Sequence, residues 1–90
     1  MKLKDIGSVW ARDLVIVLQK YDSPLLNNLY DYVKKYRRDT GRTWNNRMEA
    51  TVRMTLQRHC RKCSQYQGRH DLFENLANGC WRLRPDLKIS

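Results

Sequence analysis

The stretch from Thr43 to Cys63, TWNNRMEATVRMTLQRHCRKC, carries one hydrophobic period, and that period is helical. Trp44, Met48, Val52, Leu56 and His59 recur at spacings of four, four, four and three, which brings them to one face of an α-helix. Asn46, Ala50, Arg53, Gln57 and Arg61 fall on the opposite face. A chain holding this helix needs a core for the first face and either solvent or a ligand for the second. Asn, Gln and Arg are side chains that make bidentate contacts to base edges, and Arg also pairs with phosphate. The helix therefore has the chemistry of a DNA-recognition helix; the plainer alternative is a surface helix with a solvated polar face.

Charge sharpens the choice. The chain has 90 residues, the size of one small domain with a thin core, and its net charge is +9. Residues 1–33 hold four basic and four acidic side chains, and residues 70–90 hold three of each. Residues 34–69 hold eleven Lys and Arg against Asp39 and Glu49 alone, so the whole excess surrounds the predicted recognition helix. A field focused in this way attracts polyanions. No strongly hydrophobic stripe accompanies the charge, and no apolar run has transmembrane length, so a membrane is not the expected partner. The start, MKLKDIGSVW, lacks the apolar segment and cleavage site of a signal peptide, and three Cys suit no paired framework. Both features predict a cytoplasmic protein in a reducing compartment.

Along the chain, residues 1–7 read as a flexible lead-in, residues 8–85 as the domain and residues 86–90 as a tail. Ser8 is the predicted N-cap of a first helix from Val9 to Tyr21, with Trp10, Leu14, Val17, Leu18 and Tyr21 on its buried stripe. Ser23 before Pro24 predicts the cap of a second helix running to Arg38, with Leu25, Leu29, Val33 and Tyr36 inward. Lys34, Lys35, Arg37 and Arg38 suit the negative end of that helix, and Gly41 suits the position after its C-cap. Thr43 is the predicted N-cap of the third helix, which ends between Arg61 and Tyr66, and the short DTGRT turn joins helices two and three. Then Asn78 and Gly79, between short apolar runs, predict a β-hairpin with a two-residue turn, pairing Leu76 with Trp81 and Glu74 with Leu83. Pro85 ends the last strand. The expected class is mainly α with a small β-hairpin: a winged helix-turn-helix of three helices plus a two-stranded antiparallel wing.

The segment ATVRMTLQRHCRKCSQYQGRHDLFENLANGCWRLRP, with its VRxxLQRH helix, Tyr66-x-Gly68, Asp71-Leu72-Phe73 and closing Gly79-x-Trp81-x-Leu83-Arg84, resembles a known module. It is similar to the small winged-helix module that accompanies nuclease domains in bacterial restriction-type proteins, modification-dependent ones included. The resemblance covers about Trp44 to Pro85. It implies a DNA-binding fold with Arg53 and Gln57 on the recognition helix and with Phe73, Trp81 and Leu83 as wing and core residues. No nuclease signature follows the module in this chain, so any cleavage is expected from a partner.

Other chemistry is weaker. Cys60 and Cys63 have metal-ligand spacing that His70 or Cys80 could complete, but there is no second CxxC or HxxxH pair. No metal and no cofactor is expected, and the thiols read as small buried or half-buried side chains. His59, on the apolar face, is expected to pack or to bond to backbone. No carboxylate pair, Ser-His-Asp set or phosphate-cradling Gly loop is visible, so the protein is not expected to be an enzyme.

The expected activity is double-stranded DNA binding by a monomer or weak dimer, as a regulator or as the DNA-binding part of a restriction or phage-defence system. Asn45, Asn46, Glu49, Arg53 and Gln57 are the candidate base contacts. Lys34, Lys35, Arg37, Arg38, Arg42, Arg47, Arg61, Arg69 and Arg82 are the candidate phosphate contacts, Arg69 and Arg82 from the wing. The alternative is a small protein-interaction module, an inhibitor or adaptor of the phage-encoded kind, that docks a partner. RNA binding is a third class.

Overall fold

The computed structural model describes residues 1–68 and 70–89. It is mainly helical, with α1 (Val9–Lys20), α2 (Leu26–Asp39) and α3 (Met48–Arg58), followed by an antiparallel pair, β1 (Phe73–Asn75) and β2 (Trp81–Leu83). A 3-10 turn, Leu3–Asp5, precedes α1.

The central element is α1, which packs against α2, α3 and β2. Its sequence explains why: Ala11, Leu14, Val15, Val17 and Leu18 are all buried and form one broad apolar face. Ser8 caps it as predicted, its Oγ accepting from the Ala11 amide at 3.2 Å. Leu29, Tyr30 and Val33 of α2, Val52 and Leu56 of α3, and Leu72, Phe73 and Trp81 around the hairpin close the core over α1. Residues read as a lead-in and a tail join it. Ile6 is fully buried, Leu87 and Ile89 pack against the cluster, and the Met1 ammonium donates to the Lys88 carbonyl at 3.2 Å.

The start of α2 differs from expectation. Leu25 is its N-cap; Ser23 sits at φ 51° and donates its hydroxyl to Asp22 rather than capping a helix. The cause is the hairpin. The Trp81 amide donates to the Pro24 carbonyl at 3.0 Å, and Leu25 forms an antiparallel bridge with Cys80. A segment that satisfies backbone groups of β2 has to stay extended. At the other end Gly41, at φ 75°, follows the C-cap Thr40 as predicted. The Gly41 amide donates to Arg38 and the Arg42 amide to Arg37, the paired bonds of a Schellman ending.

Helix α3 is shorter than predicted at both ends. Thr43 does not cap it: the Thr43 carbonyl accepts from Arg37 Nε, and Trp44 lies edge-on to Trp10 at 6.4 Å. These contacts hold the chain off the helical path until Asn45, whose Oδ1 accepts from the Arg47 amide and whose carbonyl accepts from Met48. The connection is thus residues 40–47, longer than the DTGRT turn. The helix stops at Arg58 because the His59 carbonyl takes the amides of Leu72 and Phe73, at 2.8 and 3.1 Å, where the chain returns toward β1.

The hairpin forms where Asn78 and Gly79 predict it, both at positive φ, but one residue out of register. Phe73 pairs with Leu83, Glu74 with Arg82 and Asn75 with Trp81, and the Leu76 amide bonds to the Cys80 carbonyl around a three-residue loop, Ala77–Gly79. Burial decides this. The predicted register puts Glu74 on the same face as Trp81; the observed one puts Phe73 there, 1% exposed, and leaves Glu74 to meet Arg82 on the other side.

Candidate nucleic-acid interface

Not all of the excess positive charge is presented to solvent. Asp13 of α1 is 3% exposed and holds two cations at once: Arg37 Nη1 donates to its Oδ2 at 2.9 Å and Arg42 Nη2 to its Oδ1 at 2.7 Å. Arg37 also stacks over the Trp10 ring at 4.0 Å. The hydrogen bond that Arg42 donates to Asp13 raises its guanidinium above its ordinary pKa. This clamp fastens α1 to the end of α2 and to the strand of chain leading toward α3. Arg37 is buried and its guanidinium is committed to Asp13, the Thr43 carbonyl and the Trp10 ring, whereas the Arg42 side chain, bonded to Asp13 and Thr40, stays 31% exposed.

Arg82 has a partner within the hairpin. Its Nε and Nη2 lie 3.2 and 3.1 Å from Glu74 Oε2, directly across the hairpin, so the predicted wing cation is half of a neutral pair. Arg69 lies outside the described residues.

The remaining candidates group around α2 and α3. On α3, Ala50 and Arg53 are exposed and Gln57 is half-exposed, opposite the buried Val52, Thr55 and Leu56, so the predicted polar face is present. Arg53 does not swing freely: its Nη1 donates to the Tyr30 hydroxyl of α2 at 3.2 Å. Tyr30 is buried, and one and two turns further along the same side of α2 come Lys34 and Arg38, with Lys35 beside them. The guanidinium of Arg53 is thereby tied to α2 at Tyr30, one turn from Lys34. Glu49 is half-buried at the start of α3. Asn45, Asn46 and Arg47 are exposed in the turn before it, and Asn45 already uses its carbonyl oxygen to shape that turn. Arg61 is exposed just past the helix, its amide bonded to Asp71 Oδ1.

Two cations escaped the sequence reading. Arg58 and Lys62 are exposed at and beyond the end of α3, and they extend the basic edge. Their signal was the RHCRK run itself, masked by the expectation that the helix continues through it. Lys62 and Arg61 line a groove of about 400 Å³ with Cys60, Cys63, Phe73 and Glu74. Burial, followed by the hydrogen bond with Cys60, pushes the Cys63 thiol up to about 12. His59 Nδ1 lies 2.9 Å from the Thr55 carbonyl, so the backbone role expected for it is the one it has. Cys80 sits apart, in its bridge to Leu25, and among the described residues no group of three or more His, Cys, Asp or Glu could hold a metal ion. No described helix is long and apolar enough to cross a membrane.

Compared with models of known protein families, with curated proteins and with solved structures, the chain has no match.

Proposed function

We propose that the chain binds double-stranded DNA, with α3 entering the major groove and the cations of α2 and of the turn after α3 lying along the flanking phosphates. One observation carries the reading. Once the paired arginines are set aside, Lys34, Lys35, Arg38, Arg47, Arg58, Arg61 and Lys62 have no carboxylate within ion-pair distance among the described residues; Arg47, Arg58, Arg61 and Lys62 flank α3 along the chain, and Lys34 and Arg38 lie one and two turns along α2 from Tyr30, to which Arg53 bonds. In this arrangement Arg53 and Gln57 meet base edges and Asn46 approaches from the leading turn.

We take the fold to be a winged helix. The order helix, β-bridge, helix, helix, hairpin supports it, with Leu25 supplying the short extended piece between the first two helices. The resemblance of residues 44–85 to modules found beside nuclease domains makes a restriction or defence system the proposed setting, with any cleavage supplied by a partner protein. The reading concerns binding alone.

The test is selection of bound duplexes from a random pool, followed by single variants. Gln57→Ala is expected to relax base preference at one position and to cost about 1–3 kcal/mol on the preferred site. Lys62→Ala is expected to weaken all sequences alike. A wild-type chain that selects no preferred sequence would remove the base-reading half of the proposal and leave only phosphate binding.

A further inference from the structure

The solvent side of α1 is apolar and cationic, and it is the side turned away from the core. Val9, Arg12, Ile16 and Lys20 follow one another along it, and Val9 is 48% exposed. With Leu3 and Tyr36, Val9, Arg12 and Ile16 line a groove of about 360 Å³. Through Ile16 and Tyr36 it continues into a smaller hollow of about 70 Å³ beside Tyr21 and Tyr32, whose rings stack at 3.8 Å.

The charges around this groove have one dominant sign. Arg12, Lys20 and Lys35 line it, and among the described residues none of the three has a carboxylate within ion-pair distance; Arg42 also lines it but is paired with Asp13. Of the acids beside it, Asp13 is committed to Arg37 and Arg42, which leaves Asp39, in the hollow with Lys20 and Lys35. Among the described residues Arg12 Nε is buried without a hydrogen-bond partner, and a buried N–H in that condition favours any acceptor that reaches it.

We propose that this groove docks an acidic segment of a partner protein, one that places apolar side chains on Val9, Ile16 and Tyr36 and carboxylates on Arg12 and Lys20. A second copy of the chain fits poorly, since it brings a net charge of +9 and the same cations to the contact. The inference shares only Lys35 with the DNA reading; its anchors Val9, Arg12, Ile16 and Lys20 lie on α1, which packs against α3 by another side.

The probe is a synthetic helical peptide with Leu and Phe at helical spacing separated by Glu, titrated into the 15N-labelled full chain. A Glu→Gln version of the peptide, a duplex DNA and phosphatidylserine vesicles are run alongside. The expected result is saturable binding with amide shifts along Val9–Lys20 and at Tyr36. Ile16→Glu is expected to weaken it about tenfold, as loss of a central anchor does, with circular dichroism and duplex binding unchanged. Val9→Asp, at a more exposed position, serves should Ile16→Glu fail to fold. Absence of peptide binding at millimolar concentration, equal binding of the Gln peptide, or groove shifts produced only by vesicles or by duplex would each overturn the proposal.

Discussion

At the scale of single residues, Asp13 has the most consequences. It sits beside the apolar face of α1, 3% exposed, and holds two arginines that composition alone assigns to the polyanion-binding set. Breaking a buried pair from one side leaves an uncompensated charge, so Asp13→Ala is expected to cost about 3–5 kcal/mol in urea unfolding. A loss under about 1 kcal/mol would mean that the clamp is only a surface pair. Cys63 gives a second residue-scale expectation. An unperturbed thiol titrates near 9.0, and this one is raised to about 12 in the folded chain, so the protonated form is what folding favours. The stability linked to it is complete below pH 9 and declines as pH rises toward 12. Iodoacetamide at pH 8.5 should therefore label Cys63 much more slowly in the native chain than in urea, read by peptide mass mapping. Equal rates would contradict the raised value.

At the scale of elements, what was legible in the sequence was local. Ser8 as a cap, Gly41 as a helix ending, the inward stripe of α1, and the position of the hairpin turn each follow from short-range backbone chemistry, and each holds. What was not legible depended on a distant partner. Ser23 and Pro24 have the pattern of a helix start, but their backbone is claimed by β2. Thr43 has the pattern of a cap, but its carbonyl is claimed by Arg37. The hairpin register follows from the burial of Phe73, which a turn rule does not weigh. That register is directly measurable. In an antiparallel pair the non-hydrogen-bonded partners bring their α-protons closest. Strong Hα–Hα NOEs are expected between Asn75 and Trp81 and between Phe73 and Leu83. The same NOE between Leu76 and Trp81 would restore the two-residue turn. The polar face of α3 was also legible from its period; the seam formed by Tyr30 and Arg53 was not, because helix-to-helix contacts leave no period in one helix.

At the scale of the whole molecule, the account rests on how charge is distributed. The termini and hairpin neutralise themselves through pairs such as Arg82 with Glu74 and Arg84 with Asp71. The Asp13 clamp absorbs two more cations in the core. The residue of positive charge borders α2, α3 and the turn after it, where a duplex is proposed to lie. The most direct test is fluorescence anisotropy of the 90-residue chain on a random duplex across a salt series. If about five to seven of these cations meet phosphates, the logarithm of the binding constant falls against that of salt with a slope of about −5 to −6. Arg37→Gln, in the clamp, should leave that slope unchanged in the folded protein, whereas Lys62→Ala should reduce it by about one. No binding at low salt, or a slope that Lys62→Ala and Arg58→Ala leave untouched, would contradict the account.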